Sequence, residues 1–146
     1  MESYKNILFP TDLSEGSKKI AENVKLMAEK FGAEINVLYV SSVGHYYSSI
    51  NLPAAGLTSF EEEVMLAAEG QLDDFAEEHF EGMNFKTDIT AGNPADEIIE
   101  YARRKGIDLI IMGHSRVGLE RVLLGSVAHR IVKLSPIPVM IIRVEH

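Results

Sequence analysis

The residues best suited to binding a small anion lie between positions 113 and 127. A short apolar run ends at Met112 and Gly113, and Gly125 and Ser126 lie close to the expected start of a helix. Glycine lets a ligand approach the main chain closely, and the free N–H groups of a helix N-terminus favour phosphate. The segment therefore predicts a phosphate-binding region. An alternative stays open, in which Gly113 serves only a turn and Gly125 only helix packing.

This region does not match two common nucleotide-binding motifs. It lacks the Gly-Lys-Ser/Thr of a Walker loop, and no Gly-x-Gly-x-x-Gly follows the first apolar run of the chain, which ends at Phe9. The motif alone therefore identifies neither a P-loop nor a dinucleotide-binding site.

Two histidines are expected in loops. His114 invites a general-acid role, but no carboxylate or nucleophile stands in evident register with it, which favours a solvated loop histidine. His45 precedes two tyrosines in a stretch rich in Ser, Gly and Pro, and a mobile surface loop is favoured there over a lid on a ligand. The histidines do not have the spacing of metal ligands, so no metal site is predicted.

Strand-like and helix-like segments alternate along the chain and would position these residues. Short β-branched or apolar runs predict strands, and apolar residues three and four positions apart predict helices. Glycine, proline and short polar caps mark the ends, as at Gly32 and at Asn93-Pro94. The predicted strands cover 5–9, 34–40, 84–91, 108–112 and 137–144, the helices cover 14–31, 58–81, 95–105 and 120–134, and loops cover 41–57 and 113–118.

This alternation predicts an α/β fold with a five-stranded parallel sheet and helices on both faces. Strands that are apolar on both faces are typical of sheets covered on both sides by crossover helices. Ligands of such sheets bind beyond the carboxyl ends of the strands, where the strand order switches. Those ends carry Pro10, Thr11 and Asp12 after the first strand, Val40 at the second, and residues 113–116 after the fourth.

Length and composition indicate one domain, residues 1–146. The chain is 46% hydrophobic and has no cysteine, which excludes disulfides, thiolate catalysis and cysteine-bound metals. A net charge of −8 argues against a general nucleic-acid binder. The start of the chain is polar, and no apolar run approaches the ~18 residues of a membrane span. We therefore expect a soluble cytoplasmic protein with no membrane or nucleic-acid partner.

Five segments, in order, resemble the universal stress protein family, and the resemblance covers nearly the whole chain. They are Ile7-Leu-Phe-Pro-Thr-Asp-Leu-Ser14, Tyr39-Val40, Gly92-Asn-Pro-Ala-Asp-Glu-Ile-Ile99, Met112-Gly113 with Leu123-Leu-Gly-Ser-Val127, and Pro136-Ile-Pro-Val-Met-Ile-Ile-Arg143. The resemblance implies a Rossmann-like domain of the universal stress protein type, acting as a stress-response module rather than as an enzyme.

The resemblance also implies a site for ATP or AMP between the ends of the first and second strands. Asp12 would contact the nucleoside and the main chain at Val40 would read the adenine edge, while Gly113, Gly125 and Ser126 would surround the phosphates. A carboxylate can accept from ribose hydroxyls or the adenine amine, and any Mg²⁺ would arrive with the phosphates. A competing role for Asp12 is capping the first helix. The full predicted site comprises Pro10, Thr11, Asp12, Val40, Met112, Gly113, His114, Ser115, Arg116, Gly125, Ser126 and Val127.

The predicted phosphate loop departs from the family signature Gly-x2-Gly-x9-Gly-Ser/Thr. The second glycine would fall at position 116, which is arginine, and only eight residues separate that position from Gly125. A lost glycine can block the approach of main chain to phosphate, whereas the guanidinium of Arg116 can bind the same phosphate. Two alternatives therefore stand beside nucleotide binding: a family member that binds no nucleotide and mediates dimerisation or other protein contacts, and a weak ATP hydrolase.

The last predicted strand, 137–144, indicates how copies of the chain assemble. It is apolar on both faces. In the family it lies at the edge of the sheet, where an unpaired apolar strand invites aggregation. Pairing with its copy across a two-fold axis would cover it. The resemblance thus predicts a homodimer through the C-terminal strand.

Overall fold

The computed structural model describes residues 3–41, 54–115 and 125–144, and within them strands and helices alternate as predicted. The strands are β1 (Asn6–Pro10), β2 (Glu34–Ser41), β3 (Phe85–Ala91), β4 (Leu109–Ser115) and β5 (Val139–Val144). The helices are α1 (Gly16–Phe31), α2 (Ala54–Phe80), α3 (Pro94–Arg104) and α4 (Ser126–Leu134). None of these described helices has the length and apolarity needed to cross a membrane.

All five strands run parallel, in the spatial order β3-β2-β1-β4-β5. The chain builds outward from β1 through β2 to β3 and then returns to add β4 on the other side of β1, so the strand order switches between β1 and β4. This arrangement confirms the predicted α/β fold with a five-stranded parallel sheet. A ligand crevice is expected beyond the carboxyl ends of the strands at that switch.

Two apolar layers attach the helices to opposite faces of the sheet, which confirms the prediction of helices on both faces. Consecutive residues of β1 show the division. Ile7 and Phe9 belong to the layer formed with α1 and α2, and Leu8 belongs to the layer formed with α3 and α4. All three side chains are fully buried, as expected for the central strand of a sheet covered on both sides.

Two helix ends follow the signals expected from the sequence. Gly32 ends α1 in the left-handed conformation (φ 66°), and its N–H bonds to the carbonyl of Ala28. Pro94 occupies the first turn of α3, and the side chain of Asn93 accepts a hydrogen bond from the Asp96 N–H at 3.1 Å.

Two element starts differ from the prediction by four residues or more. Helix α2 begins at Ala54, inside the predicted loop 41–57; residues 42–53 of that loop lie outside the described residues. Helix α4 begins at Ser126, directly after Gly125, whose backbone is extended and not helical (φ −61°, ψ 159°). Residues 120–124 also lie outside the described ranges.

The fourth strand is longer than predicted, and this changes the setting of the candidate site. Gly113, His114 and Ser115 were expected in a loop, but they continue β4 because β5 pairs with them to its end. His114 lies opposite Arg143, and Ser115 lies opposite Val144. The loop prediction is therefore wrong for residues 113–115.

Candidate functional site

A cavity of about 470 Å³ opens at the carboxyl ends of β1, β2 and β4, where the strand order switches. Its volume lies in the range of small-molecule sites. The starts of α1, α3 and α4 complete its walls. Ten of the twelve predicted site residues line it: Pro10, Thr11, Asp12, Val40, Met112, Gly113, His114, Gly125, Ser126 and Val127.

The two remaining predicted residues are not among the lining residues. Ser115 is the last residue of β4. Arg116 lies outside the described residues, so its proposed contact with phosphate stays a prediction.

Eight further lining residues were not predicted to belong to the site. Three come from the start of α1 and the turn before it: Ser14 precedes the helix, and Ser17 and Ile20 are spaced to share one face of it. Pro94 and Ile98 come from α3, which follows β3, and only the path of that crossover brings them to the cavity. The full set of additions is Ser14, Ser17, Ile20, Leu38, Tyr39, Pro94, Ile98 and Ala128.

Asp12 is tied to the start of α1 through one of its two carboxylate oxygens. Its Oδ1 accepts hydrogen bonds from the Ser14 N–H at 2.9 Å and from the Ser17 hydroxyl at 3.1 Å. The Ser17 hydroxyl accepts in turn from the Thr11 hydroxyl at 2.8 Å. The predicted capping role is wrong for Asp12, because the N-cap residue of α1 is Glu15 and no side chain caps that helix start. Asp12 is bonded instead to the turn before α1 and to the Ser17 hydroxyl, and it lines the cavity.

The hydrogen bonds at Asp12 also set its charge. Burial raises the pKa of Asp12, but the bonds from Ser14 and Ser17 outweigh that effect and hold the pKa below its ordinary value of 3.8. Next to it, Leu13 adopts the left-handed conformation (φ 62°), which is rare for a leucine. The Leu13 N–H bonds to the Thr11 hydroxyl at 3.0 Å, and its side chain packs on the layer between the sheet and α1, which stabilises this turn.

Gly113 and Gly125 differ in what the protein requires of them. A Cβ atom at Gly113 would lie 2.0 Å from Cδ1, the end of the Ile20 side chain on α1, so a larger residue there would force Ile20 to move. A Cβ atom at Gly125 would meet no atom within 4 Å, and the φ of −61° suits any residue. The sequence left open that Gly113 serves only a turn and that Gly125 serves only helix packing. The structure supports neither alternative: Gly113 lies in β4 and packs against α1, and Gly125 packs against no described residue.

The start of α4 forms the polar end of the cavity. Gly125 provides no side-chain cap, so the first N–H groups of this nine-residue helix keep the donor capacity that favours anions. A pair of side chains holds α4 against α3. The Nε and Nη2 atoms of Arg130 donate to Oδ1 of Asp96 at 3.1 and 2.9 Å. The two helix starts that border the cavity are thereby linked.

His114 is buried and not solvated. The prediction of a solvated loop histidine is wrong, because the residue lies in β4, on the same face as Met112, and is 7% exposed. Its Nδ1 atom is sealed from solvent and has no hydrogen-bond partner among the described residues. His114 nevertheless lines the cavity.

The charged groups of the cavity are few. Among the described lining residues Asp12 is the one carboxylate, and none of them is a lysine or arginine. In the described part of the chain no cluster of three His, Asp or Glu side chains could hold a metal ion.

The parallel sheet, its central switch in strand order and the cavity at that switch define a Rossmann-like α/β protein of the kind that binds small ligands at this edge. The model of the universal stress protein family matches residues 3–143. Universal stress protein MJ0531 of Methanocaldococcus jannaschii is 39% identical over 146 residues, which cover 96% of this chain and 82% of that protein. The chain belongs to the universal stress protein family.

Solved structures agree with this assignment. The structure of protein MJ0577, also from Methanocaldococcus jannaschii, matches with a TM-score of 0.83 and 29% identity, covering 98% of both chains. Two more distant matches carry nucleotides. A universal stress protein in complex with cAMP has a TM-score of 0.65 at 22% identity, covering 97% of this chain and 98% of its own. One from Archaeoglobus fulgidus in complex with dAMP has a TM-score of 0.59 at 17% identity, covering 94% and 97%.

Proposed function

We propose that the cavity binds an adenine nucleotide, ATP or AMP, and that the protein is a cytoplasmic nucleotide-binding stress-response module rather than an enzyme. The main observation behind this proposal is the open space beside Gly125. It stands at the start of α4 on the cavity wall, and no described protein atom needs it to be glycine. A phosphate lying on the first N–H groups of α4 would need that space.

The remaining walls suit the other parts of a nucleotide. Leu38, Ile98 and Met112 offer apolar surface for a base near the main chain of Val40. The carboxylate of Asp12 lines the cavity and is an acceptor for ribose hydroxyls. The hydroxyl of Ser126 is a donor at the phosphate end. Mg²⁺, where present, would be bound through the phosphates, because Asp12 is the single carboxylate of the described lining.

The nucleotides carried by the cAMP and dAMP complexes belong to proteins that share the fold at 22% and 17% identity. These complexes show that other proteins of this fold bind adenine nucleotides. The main support for the proposal is the cavity of this chain. We assign no catalytic residue, and phosphate released from ATP over time measures the alternative of a weak hydrolase.

We further propose a homodimer through β5. This strand forms one edge of the sheet, and Val139, Met140, Ile141 and Ile142 are only partly buried in the single chain. Two apolar side chains of the neighbouring α4, Val132 and Leu134, are 50% and 48% exposed. An apolar edge strand of this kind is stabilised by pairing with a copy of itself.

Calorimetry with Mg-ATP and AMP tests nucleotide binding. The wild type is expected to bind, and Gly125→Val is expected to abolish binding because the side chain fills the phosphate space. Gly70→Val is the matched control: Gly70 is exposed on α2, and a Cβ there also meets nothing within 4 Å. If the wild-type protein shows no saturation up to millimolar nucleotide, the chain is a family member that binds no nucleotide. If Gly125→Val binds as tightly as the wild type, the start of α4 does not contact the nucleotide.

A further inference from the structure

His114 presents a polar group to the cavity that the fold itself does not use. It is 7% exposed, and no described residue forms a hydrogen bond with its imidazole. A buried polar group without a partner costs free energy, so such groups are rare in folded proteins. The sealed Nδ1 atom is out of reach of a ligand in the cavity, so only the other ring nitrogen, Nε2, is available to one.

The sealed position of Nδ1 indicates how the imidazole is protonated. Buried N–H groups without an acceptor are rarer than buried acceptors without a donor. We therefore assign the ring proton to Nε2, which leaves Nδ1 as the unpaired acceptor. Because Nδ1 is sealed and the side chain lines the cavity, the Nε2 edge is the one that meets a ligand. His114 then offers the cavity one N–H donor.

The place of this donor indicates which part of a ligand it meets. His114 follows Gly113 at the end of β4, on the face of the sheet that α4 covers, and the start of α4 is the anion-favouring end of the cavity. The described lining contains no lysine or arginine. Among the described residues, the donors available to a phosphate at this end are the first N–H groups of α4, the Ser126 hydroxyl and the imidazole of His114.

We infer that Nε2 of His114 donates a hydrogen bond to a phosphate of the bound nucleotide and makes the site selective for phosphorylated over unphosphorylated adenosine. This rests on the proposed nucleotide-binding function, and it gives that site a specificity-determining side chain.

Two substitutions at His114 separate the hydrogen bond from the shape of the side chain. Glutamine carries an amide N–H close to the position of Nε2, whereas methionine fills a similar volume without a donor. His129→Met is the control, because His129 is exposed on α4 and does not line the cavity. Binding of ATP, AMP and adenosine is measured by calorimetry for each variant, and thermal unfolding checks that each is folded.

We expect His114→Met to lose affinity for ATP and AMP by roughly tenfold or more, the size of one hydrogen bond to a charged group, and to keep the affinity for adenosine. His114→Gln should retain most of the phosphate affinity, and His129→Met should match the wild type. Unchanged ATP binding by His114→Met, or an equal loss for adenosine, overturns the inference while the proposed function stands. A wild type that binds none of the three ligands overturns both.

Discussion

At the residue scale, Asp12 illustrates how one side chain serves both the fold and the site. Its Oδ1 bonds to Ser14 and Ser17 at the start of α1, and the residue lines the cavity. The hydrogen bonds favour the charged form, which is also the form that accepts bonds from a nucleoside. Replacement of Asp12 is therefore expected to affect both stability and binding.

The lowered pKa of Asp12 predicts a pH-dependent contribution to stability. A carboxyl group whose pKa is lower in the folded chain than its ordinary 3.8 stabilises the fold above that value, and the contribution is lost as the pH falls through the folded pKa. Urea unfolding of the wild type and Asp12→Asn should give a difference in free energy that is constant at neutral pH and shrinks below pH 3.8. A difference that does not vary with pH would contradict the role given to these hydrogen bonds.

Most of the candidate site could be predicted from the sequence, because parallel strands bring their carboxyl ends to one edge. Asp12, Val40 and Gly113 are far apart in the chain and line one cavity. The burial of His114 could not be predicted in this way. It depends on how far β5 pairs along β4, and the register that places Arg143 opposite His114 is a tertiary property.

At the scale of elements, α1 packs closely on β4 at Gly113. The end of the Ile20 side chain on α1 lies where a side chain at position 113 would begin. Gly113 also lines the cavity, so its packing against α1 does not exclude the predicted place beside a phosphate. A glycine at a strand end is compatible with both roles, and the sequence alone indicated only the second.

Gly113→Ala is expected to lower the free energy of unfolding by about 1–3 kcal/mol through overpacking. Ile20→Val removes the Cδ1 atom that the new methyl would meet at 2.0 Å. The double variant should therefore lose less free energy of unfolding than the two single variants lose together. Urea unfolding of the three variants measures this difference as a favourable coupling energy. Simple additivity would show that α1 shifts freely and that its packing does not fix this glycine.

The order and type of the elements were predictable, and several of their ends were not. Caps with a local mechanism, such as Gly32 and Asn93, lie where expected. The end of β4 and the start of α2 lack such signals. The first is set by pairing with β5, and the second falls at Ala54 in a stretch whose composition resembles a loop. The sequence therefore predicts the end of a helix or strand only where a nearby residue, such as a cap, determines that end.

At the scale of the whole molecule, the apolar edge at β5 and the exposed Val132 and Leu134 of α4 predict a dimer. Light scattering at micromolar concentration should give twice the mass of the chain. Leu134→Glu should shift the protein toward monomer, because it places a charge in the interface of each copy. Leu26→Glu is the matched control, since Leu26 is 51% exposed on α1, across the sheet from α4. A monomeric wild type would contradict the proposed assembly.

A crystal structure of the protein grown with saturating ATP or AMP would test nucleotide binding most directly. We expect the nucleotide in the cavity at the carboxyl ends of β1, β2 and β4, with its base beside Val40 and its phosphates against Gly125 and Ser126 at the start of α4. A nucleotide bound elsewhere on the molecule, or a cavity that remains without one at saturating concentration, would contradict it.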